Sequence, residues 1–109
     1  DPERFGVATI EKKDDQILVT SIEEKPQNPK SNCIATGCYL YDKHCFDLIR
    51  TLTPSARGEL EITDLSRKYL EQGNLTATIL QEEWVDAGTF ESLFRAAELI
   101  RKKEMQANA

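Results

Sequence analysis

The stretch Ser21-Ile22-Glu23-Glu24-Lys25-Pro26 ends an apolar alternation on carboxylates and an ammonium before a proline-bearing turn. Glu24 can accept hydrogen bonds from vicinal sugar hydroxyls, and Lys25 can pair as a point charge with a phosphate. Its plain structural alternative is a solvated strand end, whose adjacent charges fall on opposite faces. Thr36-Gly37 with Tyr39 offers a side-chain-free patch on which a flat ligand or sugar ring can lie, with a phenol hydroxyl at the same face. The alternative there is a bulge glycine and a core-edge tyrosine. In "SARGELEITD", residues 55–64, Arg57 stands in a loop beside Gly58 and can reach a phosphate bidentately. As a surface ion pair with Glu59 it would contribute little. Glu59 and Glu61 open a helix that Thr63 and Asp64 could equally cap. Finally, "WVDAGT", residues 84–89, places Asp86 between a strand and a helix N-terminus, where a carboxylate can hold Mg²⁺ together with substrate phosphates. Gly88 permits a tight turn, and Asp86 could instead serve only to organise it. His44, in a first helical turn beside Lys43, reads as a surface residue, and Trp84 as a packing residue next to the site.

The elements that must position these groups follow from periodicity. Residues 5–10 ("FGVATI") and 16–25 ("QILVTSIEEK") read as strands joined by a charged turn, a β-hairpin. Residues 33–42 ("CIATGCYLYD") are apolar almost throughout and read as a strand buried on both faces, with Gly37 marking a close approach of backbone or ligand. Asp42 suits the N-cap of a helix reaching about residue 52, with Phe46, Ile49 and Leu52 (or Leu48) inward. Leu60, Leu65, Tyr69 and Leu70 have helical spacing and the run closes on Gly73, a good residue beyond a helix C-terminus. "NLTATIL" alternates as a fourth strand and "WVDAG" is a short fifth. Thr89 caps a final helix over residues 90–105, with Leu93, Ala96, Ala97 and Ile100 inward. The order β-β-β-α-α-β-β-α predicts an α/β fold, a mixed β-sheet with flanking helices, in one domain over residues 1–109. No internal repeat, linker or glycine-rich phosphate loop is present.

The totals narrow the function classes. A net charge of −5 argues against a nucleic-acid surface, and no apolar run approaches a membrane span. Any phosphate must therefore be bound by a few placed cations. Cys33, Cys38 and Cys45 lack the paired spacing of a zinc site and read as reduced, half-buried thiols of a cytoplasmic protein.

Taken in order, "DPERFGV", "EEKP", "PKSN", "TGCYLYD", "PSARGELEITD", "YLEQG" and "WVDAGT" resemble the later part of the bacterial glucose-1-phosphate thymidylyltransferases, a group of sugar nucleotidyltransferases. The resemblance covers nearly the whole chain, and "ARGELEITD" is its most specific segment. It implies a partial nucleotidyltransferase fold and a reaction of dTTP with glucose 1-phosphate, giving dTDP-glucose and pyrophosphate. It further implies that Glu24 binds glucose hydroxyls and that Lys25 and Arg57 contact phosphate as catalytic groups. Gly6, Gly37 and Tyr39 would form the sugar-binding wall, and Asp86 would be one of the Mg²⁺ carboxylates.

This sequence departs from the family pattern in several places. The glycine-rich G-x-G-T-R-L segment, its lysine and the other metal-binding Asp are absent. The approach to Trp84 is short, Ala87 stands where W-[LV]-D-T-G has threonine, and the family's C-terminal extension is missing. The expectation is thus the sugar-phosphate-binding part of such an enzyme, inactive by itself. Competing readings are a non-catalytic sugar-phosphate-binding or protein-interaction module, and a nucleotidyltransferase for another sugar or base. A sheet edge left bare in such a piece invites pairing with a second copy. A homo-oligomer is therefore expected in light scattering, and a monomer across a wide concentration range would count against it.

Overall fold

A computed structural model describes residues 1–109, which divide into two compact units, Asp1–Thr78 and Ile79–Ala109. The first unit is built on an antiparallel hairpin of β1 (Gly6–Lys13) and β2 (Gln16–Glu24), preceded by a single 3₁₀ turn. Asp14, at φ 52°, turns the chain between the strands. β3 (Cys33–Ile34) pairs with β1, and β4 (Thr76–Ala77) pairs with β2, giving the order β3-β1-β2-β4. The α/β class with flanking helices stands, and every pairing in this sheet is antiparallel.

A β-bulge decides which way the end of the hairpin faces. The register steps between Thr9↔Ser21 and Ile10↔Val19, leaving Thr20 as the extra residue of β2. Thr20 donates its hydroxyl hydrogen to the Thr9 carbonyl at 3.2 Å. Val19 and Ile22 lie three positions apart and would face opposite sides of a regular strand, yet both are buried. Two residues past Ile22, Glu24 falls on that same inward face.

α2 (Ile62–Glu71) packs against β2 through Thr63, Leu65, Ser66 and Tyr69, all buried. With Val7, Val19 and Ile22 these residues make a small core. The expected Leu65 and Tyr69 are inward, but Leu60 is exposed because the helix begins two residues later, at Ile62. Gly73, at φ 73°, closes α2 as expected, with the Asn74 amide donating to the Tyr69 carbonyl at 2.9 Å.

Several expectations need correction. The strand over residues 33–42 pairs only at Cys33 and Ile34, because Gly37 adopts a left-handed φ of 84° and the chain leaves the sheet. Beyond that point Leu40 is 96% exposed, not buried on both faces. α1 (Cys45–Ile49) is shorter than expected, and Phe46 and Ile49 point to solvent while Leu48 is half-buried. Asp42 is not the N-cap of α1. Its Oδ1 accepts the His44 amide at 3.0 Å and the Tyr69 hydroxyl at 2.7 Å, which ties the approach to α1 onto α2. The fourth strand shrinks to Thr76–Ala77, and "WVDAG" forms no strand.

In the second unit α3 (Phe90–Ala107) starts at Thr89, whose hydroxyl accepts the Ser92 amide in a reciprocal capping box, as expected. Lys103 pairs with Glu82 at 2.7 Å. The expected inward face is not covered: Leu93 and Ile100 are exposed, and so are Phe90, Phe94 and Met105. No helix of the chain is long and apolar enough to cross a membrane.

The Tyr69–Asp42 bond gives stability a definite pH dependence. Burial, reinforced by the Asp42 carboxylate, pushes the Tyr69 hydroxyl up to about 12. A folded-state value above the unfolded one of about 10 stabilises fully below that lower value, and the gain is lost as pH rises through the upper. Denaturant melts of the wild type should therefore show stability falling between these limits, and Tyr69→Phe should flatten that slope.

Candidate functional site

The inward turn of β2 brings Glu24 to the first turn of α2, where the Thr63 hydroxyl donates to its Oε2. Thr63 is only 1% exposed, so this hydroxyl has exchanged water for a carboxylate. Gly6, paired across the hairpin from Glu24, completes the corner. A Cβ on Gly6 would lie 3.4 Å from both Glu24 Oε2 and Thr63 Oγ1 and 3.6 Å from the Ala35 side chain. Gly6 is buried, so the missing side chain leaves only an enclosed, methyl-sized notch beside the carboxylate. Its edge is tied by the Ala35 amide donating to the Gly6 carbonyl at 2.8 Å.

Lys25 follows immediately and would point to the opposite face if the strand continued. It does not continue. Lys25 sits at φ 42°, held by its amide donating to the Phe5 carbonyl at 3.0 Å. A left-handed backbone at a non-glycine residue is costly and marks a place where surrounding structure imposes it. The turn swings the ammonium into the field of Glu61, whose carboxyl is held below its ordinary range first by Arg57, then by Ser55, with Lys25 contributing. Glu24 in turn adds to the field that raises the Arg57 and Tyr39 values. Adjacent charges of opposite sign thus serve one locality.

Arg57 is not free in its loop. Its Nε and one terminal nitrogen grip Glu61 at 3.1, 2.9 and 3.0 Å, and that same nitrogen lies 3.4 Å from Glu59. Glu61 Oε1 also accepts the Ser55 hydroxyl at 2.8 Å. The guanidinium is half-exposed, and its hydrogen bonds to Glu61 hold it more firmly protonated. One edge of the fork is therefore committed to the protein, and the other terminal nitrogen is the donor left for an anion.

Tyr39 stacks on Tyr41 at 6.0 Å between ring centroids, and Tyr41 stacks on Tyr69 at 5.2 Å. Tyr41 and Ser66 hydroxyls are hydrogen-bonded at 2.7 Å. Burial, then the neighbouring Tyr41, raises the Tyr39 value, so its hydroxyl is a proton-bearing donor at neutral pH. No backbone approaches Gly37: no protein atom lies within 4 Å of where its Cβ would be, and its φ of 84° makes a left-handed turn.

Asp86 belongs to the second unit. Its Oδ2 lies 3.1 Å from the position a Gly88 Cβ would take, so Gly88 provides clearance for the carboxylate. Its φ does not require glycine. No group of three His, Cys, Asp or Glu side chains gathers anywhere in the chain. A divalent ion at Asp86 would thus draw one hard oxygen ligand from this residue and fill its shell with phosphate and water, a mode that suits Mg²⁺. The three cysteines are free thiols, with Cys38 exposed.

Of the residues expected from sequence, Gly6, Glu24, Lys25, Tyr39 and Arg57 share one locality in the first unit. Thr63, Glu61 and Ser55 were missed as site residues. The hydroxyl in "EITD" suits a helix cap equally well, and only packing shows that its partner is Glu24.

The Nucleotidyl transferase family model matches residues 1–103. The glucose-1-phosphate thymidylyltransferase of Neisseria gonorrhoeae is 50% identical over 103 residues, covering 93% of this chain and 35% of that protein. A protein of the same name from Xanthomonas campestris pv. campestris is 46% identical over 108 residues, covering 97% and 36%. Among solved structures, a Bacillus anthracis chain provisionally assigned the same name, crystallised with sucrose, superposes with a TM-score of 0.79. It is 52% identical, over 93% of this chain and 39% of that one. This chain spans about a third of the length of the curated relatives it matches.

The notch makes a prediction independent of ligand. A methyl group at Gly6 meets its neighbours at ordinary contact distance. Gly6→Ala should therefore melt at or above the wild-type temperature, gaining about 0.5–1 kcal/mol from reduced chain entropy. A clear drop in melting temperature would show that the notch is needed for folding.

Proposed function

This chain belongs to the nucleotidyl transferase family, and from that premise we propose that it supplies the sugar-phosphate side of a site transferring dTMP from dTTP to glucose 1-phosphate. The products are dTDP-glucose and pyrophosphate. Catalysis by this chain alone is not part of the proposal. The observation that supports the reading is an inward strand end at Glu24 followed by a left-handed Lys25, with Glu24 acting electrostatically on Arg57 and Lys25 on its partner Glu61.

In this reading Glu24 accepts hydrogen bonds from vicinal glucose hydroxyls, with Gly6 backing the carboxylate. Tyr39, with Gly37 in the same segment, borders the sugar. Lys25 and the uncommitted nitrogen of Arg57 meet the phosphate. A glucose 1-phosphate oxygen attacks the α-phosphorus of dTTP in line; a new P–O bond forms as the bond to the leaving pyrophosphate breaks. Orientation and neutralised charge are what the protein contributes to such a step. Asp86, in the second unit, would be a carboxylate ligand to Mg²⁺, an ion that neutralises charge on nucleotide phosphates. Glu61 keeps Arg57 charge-balanced before the anion arrives, so the site need not hold an unpaired guanidinium. Nucleotide substrates and free thiols fit a cytoplasmic setting. The uncovered apolar residues of α3 fit association with further protein, a second copy included.

Calorimetric titration with glucose 1-phosphate and with dTDP-glucose, with and without Mg²⁺, tests the reading. The wild type should bind, and Lys25→Ala should weaken binding about 10–100-fold, the loss of one charge-assisted contact. Absence of wild-type binding at millimolar ligand would overturn it.

A further inference from the structure

Thr63 has a place in the fold that the recognition chemistry above does not use. It is among the two most buried side chains of the chain and carries a hydroxyl, an unusual choice for a position facing β2. A helical threonine often returns its hydrogen bond to the carbonyl one turn back. Here the bond leaves the helix and crosses 39 positions of sequence to Glu24 Oε2. α2 is itself tied to β2 one turn further on, where Arg67 donates to the Ile22 carbonyl at 3.3 Å while gripping Asp64 at 2.6 Å. The helix is therefore a fixed platform beneath the strand end.

We propose that Thr63 is a positioning residue for sugar recognition: by holding Oε2 beside Gly6 it fixes the Glu24 carboxylate and leaves Oε1 as its uncommitted acceptor. The inference rests on the sugar-phosphate reading. A free glutamate side chain samples many rotamers, and each must be frozen when a ligand binds. The Thr63 bond freezes them in advance and leaves the acceptor sites of Oε1 for sugar hydroxyls. The ammonium of Lys25 and the guanidinium of Arg57 lie outside this bond, so the phosphate part of recognition is independent of it.

That independence supplies the test. Thr63→Val keeps the shape and removes the hydroxyl, and Thr63→Ser keeps the hydroxyl. Each variant of the whole chain is titrated with glucose 1-phosphate and with inorganic phosphate, after melting curves establish folding. Thr63→Val should weaken glucose 1-phosphate about tenfold, the value of one hydrogen bond to a charged group, and leave inorganic phosphate unchanged. Thr63→Ser should bind both within about twofold of wild type, since its hydroxyl still reaches Oε2. Equal loss of both ligands in folded Thr63→Val, or no loss of either, would reduce Thr63 to a packing residue. Should Thr63→Val fail to fold, Thr63→Ala takes its place: a selective loss of glucose 1-phosphate supports the proposal, and equal loss of both ligands or no loss overturns it. Wild type that binds inorganic phosphate but not glucose 1-phosphate overturns the sugar-phosphate reading itself, and the inference with it.

Discussion

A carboxylate facing inward at the end of a strand is the constraint around which the first unit is organised. Burying part of a charge is costly unless hydrogen bonds replace the water it loses. Thr63 supplies such a bond to Glu24, and Gly6 gives the carboxylate room. Both depend on the bulge at Thr20, since a β2 without the extra residue would turn either Val19 or Ile22, with Glu24, away from α2. The core and the corner at Glu24 therefore have one geometric origin.

Charge balance follows from the same placement. The left-handed turn at Lys25 brings an ammonium toward Glu61 instead of releasing it to the far face of the sheet. Glu61 is already gripped by Arg57 and Ser55, so cations and carboxylates alternate through the corner. The Arg57 guanidinium is thus held by protein contacts, with its counter-charges fixed beside it.

Much of the chain was legible from local pattern. The hairpin, the closure of α2 at Gly73 and the Thr89 cap of α3 follow from interactions within a few residues, and those appear as anticipated. The run over residues 33–42 was misread because its apolar composition describes a strand that has neighbours on both sides, whereas in this chain pairing ends at Ile34. The helix faces at Phe46, Leu93 and Ile100 differ from expectation for a related reason: an apolar stripe signals a surface that can be covered, and these residues are exposed. Arg57 looked free because a glutamate four residues later is invisible as a partner until the loop curls back to it.

The sequence by itself determined the chemical inventory: a carboxylate beside an ammonium, an arginine among glutamates, a lone Asp before a helix, and the ordered motifs that mark the family. Tertiary structure alone decided which of these groups act together. Adjacent residues on an extended chain diverge, and residues far apart in sequence have no intrinsic reason to meet. Glu24 and Lys25 share a locality only because a bulge sets one and a left-handed backbone redirects the other. Thr63 reaches Glu24 only because α2 packs across β2, a contact whose registry is fixed by burial of Leu65 and Tyr69 and not by any local preference of the chain.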